Sequence, residues 1–208
     1  MPISPRLRAD ARRNRERLVC TARAVYREQG LEAPLDEIAR RAEVGRGTLY
    51  RHFPTRDDLI TAVFLERMAE NVATAERALQ LEDPWQGFAE YVRETCRVQA
   101  ADRGMSDLIA IGHPNRELRA LRSRAYNGFT KLIDRAKANG SLRPDFSPED
   151  LILLTMAAGG ISRHTGLSAA PATDRFIALA LDGLRAEAAT PAPPAISART
   201  MLARLREA

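Results

Sequence analysis

The sequence predicts an all-α fold, a short three-helix N-terminal unit joined to a larger helical one, and three observations carry that prediction. Ala, Leu, Arg and Glu dominate the 208 residues, and all four are good helix formers. Aromatics make up only 5% against 45% hydrophobic residues, and β-branched runs are scarce. Apolar residues return with a helical rhythm, bounded by capping residues before each run and Gly or Pro after it. A chain of this length buries a full core in one large domain or two small ones.

The first helix is expected over residues 11–29, because Leu18, Ala22, Val25, Tyr26 and Gln29 share one face and Gly30 supplies a stop. A short helix over 35–42 turns Leu35, Ile38, Ala39 and Ala42 inward. Glu43, Val44 and Gly45 break the pattern, and a second short helix over 46–52 stops before Phe53-Pro54. Two short helices across a tight turn, behind a longer packing helix, have the form of a helix-turn-helix; periodicity alone does not separate that from an ordinary helical hairpin. Thr55-Arg56-Asp57-Asp58 is a capping-box-like start for a helix to about 79. Asp83-Pro84-Trp85-Gln86 opens the next, with Pro at its first position. Further helices are expected over 114–138, ended by Asn139-Gly140, then from Ser147-Pro148-Glu149-Asp150, and over 171–188. The division that results is 1–56, 57–188 and a tail, 189–208. That tail begins as a Pro/Ala linker and ends in a short amphipathic helix carrying Ile196, Met201, Leu202 and Leu205.

Charge is segregated along the chain. Residues 1–56 carry 13 Arg against 7 acids, net +6, whereas the whole protein is only +5. The entire positive excess therefore sits in the first quarter, which points to a polyanionic partner for that quarter. Arg6, Arg8, Arg12 and Arg13 form a basic arm, for which a minor-groove contact and a solvated tail are both open readings.

The other chemistry is sparse. Three His, two Cys and scattered acids make no nucleophile motif, metal cluster or glycine-rich phosphate loop, so neither an enzyme nor a cofactor or metal is expected. Cys20 and Cys96 are expected as small core residues in a reducing compartment. The longest nearly apolar run, 151–161, is too short to span a bilayer, and the first eighteen residues lack the apolar segment of a secretory signal. A cytoplasmic chain without membrane contact is the expectation.

The helix over 46–52 decides the N-terminal unit. At 100° per residue, Leu49 and Phe53 fall together as the buried stripe. Arg46, Gly47, Tyr50 and Arg51 share one exposed arc, and Thr48 and His52 share the opposite flank. Such a helix fits the major groove of duplex DNA. Arg46 can donate a bidentate pair to guanine, and Gly47 lets the backbone approach the bases. The hydroxyls of Thr48 and Tyr50 and the His52 ring suit phosphate oxygens, and Arg56 adds charge at the next helix's first turn.

The stretch APLDEIARRAEVGRGTLYRHFPTRDDLI, residues 33–60, resembles the helix-turn-helix of the tetracycline-repressor (TetR) family. The run from Gly47 to Phe53, followed by a polar turn and Arg56, is that family's most recognisable segment. RLVCTARAVYREQG, residues 17–30, resembles its first helix. The resemblance covers roughly the first sixty residues and implies base contacts from Arg46, Gly47 and Tyr50, with phosphate contacts from Thr48, Tyr50, His52 and Arg56. Two departures stand out. Glu43 replaces a turn residue that is usually Gly, so either the turn avoids a left-handed residue or Glu43 carries strain. Gly45 replaces the usual Ser or Thr cap, at a cost of only a few tenths of a kcal/mol.

For the larger half, residues 151–161 and 176–184 are apolar nearly all round, as in helices buried on more than one side. The resemblance implies a homodimer through these last two long helices, which also suits a palindromic duplex operator. It implies in addition an effector pocket for a small molecule of unknown identity. Candidate lining residues are Trp85, Phe88, Tyr91, Met105, Ile109, Tyr126, Phe129 and Met156, with His113 and His164 as polar handles. The expected function is a repressor released from its operator by that effector. The alternatives are an activator, or a DNA-binding protein of this fold that senses nothing.

Overall fold

The computed structural model describes residues 5–101, 116–165, 170–197 and 200. Eight α-helices occur among them: α1 Pro5–Gln29, α2 Leu35–Arg41, α3 Arg46–His52, α4 Arg56–Leu79, α5 Pro84–Ala101, α6 Arg116–Ala138, α7 Asp150–Thr165 and α8 Ala170–Gly183. None of these is long and apolar enough to cross a membrane.

Local chemistry accounts for most boundaries. Gly30 and Gly140 take positive φ, 82° and 74°, just past the ends of α1 and α6. Thr55 closes a reciprocal capping box with Asp58, its backbone N–H donating to the carboxylate at 3.0 Å and its hydroxyl accepting from the Asp58 N–H at 3.1 Å. The Asp83 carboxylate accepts from the Trp85 N–H at 2.8 Å and starts α5.

Two expectations change. The first helix begins at Pro5, six residues before the predicted start, so Arg6, Arg8, Arg12 and Arg13 of the basic arm lie on a helix. Arg12 pairs with Glu16 at 3.6 Å, and Arg13 pairs with Asp10. The last helix stops at Gly183, short of 188, because the following backbone is taken up elsewhere. The Leu184 carbonyl accepts from the Arg143 N–H at 3.0 Å, and the Ala186 N–H donates to the Ser141 carbonyl at 3.1 Å. Beyond it, the linker is fastened: the Arg143 guanidinium donates to the Thr190 carbonyl at 2.6 Å, and the Ala192 N–H donates to the Asp145 carboxylate at 3.2 Å. Ile196 is exposed, while Met201, Leu202 and Leu205 lie outside the described residues.

The interior has two apolar centres. The first joins Leu18, Val25, Ile38, Leu49 and Phe53 to Leu59, Val63 and Phe64, so it takes in the first half of α4 and also Leu118 of α6. The second packs α5 against α4, α6, α7 and α8 around Phe88, Phe129 and Phe146. The Gly87 backbone lies so close to α4 that an added Cβ would sit 2.6 Å from the Ala78 carbonyl oxygen, which is why this crossing takes glycine. Helix α4 therefore belongs to both centres, and any shift of its axis is felt in both. Cys96 is buried as expected, and burial pushes its thiol up to about 12; Cys20, expected in the core, is instead exposed and borders an open cleft beside α1.

Candidate nucleic-acid interface

The chain enters α3 through a tight reversal. The Glu43 N–H donates to the Arg40 carbonyl at 3.1 Å and the Val44 N–H to the Ala39 carbonyl at 3.0 Å. This pairing closes a helix end through a left-handed residue, and Glu43 has φ 52°. Glycine adopts that conformation without penalty, whereas a side chain there costs about 1 kcal/mol. Arg17 partly compensates, donating to the Ala42 carbonyl at 2.5 Å and pairing with the exposed Glu43 carboxylate at 3.2 Å. An exposed pair of this kind is worth roughly 0–1 kcal/mol. Glu43→Gly is therefore expected to raise stability by up to about 1 kcal/mol in urea unfolding, with DNA affinity unchanged.

Gly45 then caps α3 with its carbonyl alone, in extended backbone. Leu49 and Phe53 are 1% and 2% exposed, so the predicted stripe is turned inward. Arg15 lies over the Phe53 ring at 5.3 Å and seals its edge. With that stripe anchored, Arg46, Gly47, Tyr50 and Arg51 are exposed and Thr48 and His52 are half-buried, so all six stand on the accessible side. Tyr50 is 45% exposed, with its ring open to a partner on that side.

Electrostatics organise the face before any ligand arrives. Arg46 is held by Asp36 of α2 at 2.7 Å, with both groups largely exposed. Breaking so exposed a pair costs at most about 1 kcal/mol, so Arg46 is oriented without being locked. Arg51 donates to the Thr48 hydroxyl at 3.0 Å. Burial, then Arg51 and Arg15, lower the His52 pKa, so the ring is neutral at neutral pH in the free protein. A phosphate at this flank would offset both guanidinium groups and favour the charged ring. Elsewhere α2 neutralises its own cations: Glu37 accepts from Arg40 at 2.8 and 2.9 Å and from Arg41 at 2.7 Å, which brings its carboxyl down to about 2.

Arg56 differs from the expectation. Its guanidinium turns inward and donates to the Leu31 and Ala33 carbonyls, both at 2.7 Å, tying the loop after α1 to the start of α4. Those carbonyls have no helical partner, and a charged donor satisfies them well. Arg56→Met is therefore expected to cost about 1.5–3 kcal/mol of stability in a denaturation curve. A phosphate-binding Arg56 would instead lose DNA affinity and leave the midpoint unmoved.

The proposed effector residues are scattered. Trp85, Phe88, Tyr91 and Phe129 are buried and pack on one another and on Phe146, with Phe88–Phe146 centroids 5.2 Å apart and Tyr91–Phe129 4.9 Å. They fill space and do not surround any, because stacked and edge-on rings occupy the centre of the second core. Tyr126 is 54% exposed, and Met156 is half-buried. Met105, Ile109 and His113 lie outside the described residues, as does the side chain of His164. One cleft in this half lies between α4 and α5, a small one of about 60 Å³, lined by Arg67, Glu70, Asn71, Glu94, Thr95 and Gln99. Tyr91 reaches it with its hydroxyl, which donates to the Asn71 side-chain oxygen at 2.6 Å. Arg67, Glu70, Asn71 and Thr74 stand at i, i+3, i+4 and i+7, one polar stripe along α4. That polar stripe is legible in the sequence, where the aromatic residues drew the expectation elsewhere.

A buried stripe on a seven-residue helix, an exposed polar arc and a tight turn before it define a helix-turn-helix DNA-binding unit on an all-α body. Comparison with known proteins gives the class its family. Residues 18–63 match the family model for bacterial regulatory proteins of the tetR family. Residues 83–186 match the model described as the C-terminal domain of SbtR-like transcriptional regulators. A TetR transcription regulatory protein from Mycobacterium vanbaalenii is 32% identical, with a TM-score of 0.61 over 86% of this chain and 99% of that one. A TetR transcriptional regulator from Streptomyces coelicolor is 31% identical, with a TM-score of 0.60 over 82% and 98%. An HTH-type transcriptional regulator of Staphylococcus aureus strain USA300 is 41% identical over 54 residues, which span 26% of this chain and 29% of that relative. The chain belongs to the TetR family of transcriptional regulators.

Proposed function

We propose that this chain is a homodimeric repressor that holds a palindromic operator through two copies of α3 and is released by a small-molecule effector. The observation that carries the reading is the two-sidedness of α3, with Leu49 and Phe53 buried beneath an accessible polar arc. In this reading Arg46, Gly47 and Tyr50 meet base edges, while Thr48, Tyr50, Arg51 and His52 meet phosphates and fix the register. Pairing is supported by the outer faces of α7 and α8, where Leu153 and Leu179 are 43% and 60% exposed, an apolar surface that a second copy would cover. Release is supported by α4, which starts beside α3, lines the polar cleft and shares both cores. A ligand in that cleft acts only through its differential affinity for the two positions of α4.

Selection of bound sequences from random duplexes tests the reading. Inverted repeats with half-sites about 10 base pairs apart are expected, and loss of the chain should raise transcription from a promoter carrying them. A selected sequence without dyad symmetry, or a monomer by sedimentation, contradicts the dimer; lowered transcription makes the protein an activator.

A further inference from the structure

A second cleft, about 360 Å³, opens between α1 and the junction of α4 with α5, and three guanidinium groups line it: Arg23 and Arg27 of α1 and Arg67 of α4. Arg23 and Arg27 are one helical turn apart and so share a face. Arg67 is buried, an uncommon setting for arginine, and Ala24, Val98 and Ala101 form apolar walls around the charges. Among the described residues, Glu70 is a carboxylate bonded into this group. It accepts both terminal nitrogens of Arg23, at 2.6 and 2.9 Å, and one terminal nitrogen of Arg67 at 2.9 Å. Burial raises the Glu70 pKa, but the bonds from Arg23 and Arg67 outweigh burial, so the carboxyl is held below its ordinary range. Glu66 stands one turn earlier on α4 and is the next acid within reach of Arg23's charge.

This geometry has two properties that a surface ion pair lacks. The bidentate Arg23–Glu70 bond ties α1, whose face supports the helix-turn-helix, to the middle of α4. Arg67 borders both this cleft and the polar cleft between α4 and α5. One carboxylate thus serves two cations, a third cation stands beside them, and the arrangement resembles the way a bound anion would be held.

We propose that the cleft formed by Arg23, Arg27 and Arg67 is a binding site for a small organic anion, a carboxylate or a phosphate, with Glu70 as its built-in competitor. An arriving anion accepts from the three guanidinium groups and displaces the Glu70 carboxylate. The direct tie between α1 and α4 is exchanged for one through the ligand. Its consequence for DNA rests on the reading of the chain as an effector-released regulator; the binding itself does not. Linkage then requires DNA and anion to change each other's affinity by the same factor.

The test is titration calorimetry of the full chain with inorganic phosphate and, separately, with citrate, at ionic strength held constant with chloride. At least one of the two should saturate at one per chain, and which one does so separates phosphate from carboxylate ligands. Glu70→Gln keeps a polar side chain of the same size but frees the guanidinium groups, so it should bind the anion about tenfold tighter. Arg27→Gln, at an exposed position that puts the fold at no risk, should weaken it by a similar factor, and Arg67→Gln by more. Arg46→Ala should change nothing, which separates this site from the α3 face. Failure of both anions to bind wild type and Glu70→Gln above chloride overturns the proposal, as does an Arg27→Gln chain that binds like wild type. Duplex binding without added anion is measured in parallel. Its absence would end the regulator reading and leave the anion site standing.

Discussion

Gly47→Leu should leave the fold intact and remove specific DNA binding. An added Cβ at Gly47 meets nothing within 4 Å, and the position is exposed, so leucine finds only solvent there in the free protein. Replacing glycine within a helix by leucine favours helix by up to about 1 kcal/mol, so the melting midpoint should hold or rise. In the proposed complex the same face lies against base edges, and the leucine would occupy the space the backbone needs for close approach. Specific binding should fall to the non-specific level, on the order of a thousandfold or more. Fluorescence anisotropy on a selected duplex, beside a thermal melt, reads both halves; unchanged affinity would take α3 out of the groove.

Phe53→Ala should have the opposite signature, a loss of stability from which DNA binding suffers only indirectly. Phe53 is 2% exposed, packs with Leu49 beneath α3 and carries Arg15 over its ring at 5.3 Å. Truncating a buried phenylalanine costs about 3–5 kcal/mol, a large share of the stability of a domain this size. The loss should appear in urea unfolding, and DNA affinity should recover on cooling or with a stabilising osmolyte as the folded fraction recovers. A Phe53→Ala chain as stable as wild type would mean that α3 is not anchored by this stripe. Together the two substitutions separate the face that recognises from the face that holds.

Most of the N-terminal unit was legible because its determinants are local. The Leu49 and Phe53 spacing, the stop at Phe53-Pro54 and the Thr55/Asp58 cap all act within a few residues, and the structure keeps each. The conflict at Glu43 was legible too, and it resolves as a left-handed residue, since the reversal after α2 leaves no other closure. What was not legible depends on distant partners. Residues 5–10 lack an apolar stripe, so periodicity has nothing to register where α1 begins. The last helix ends at Gly183 because backbone at 141–143 claims the residues that follow, some forty positions away in sequence. Arg56 was read as an outward charge, and only the loop carbonyls of Leu31 and Ala33 show why it turns in. Trp85, Phe88, Tyr91 and Phe129 were read as lining a pocket and pack as core, while Tyr126 is exposed, because composition does not distinguish rings that fill a core from rings that line a hole.

The central claim is that the exposed arc of α3 meets base edges, with Arg46 choosing among them. Base-preference profiles of wild type and Arg46→Ala, selected from the same random duplex pool at one salt concentration, address it directly. The account predicts that one base pair per half-site loses its preference, at about 1–3 kcal/mol, while the remaining positions and the spacing keep theirs. Identical profiles for the two proteins would contradict it.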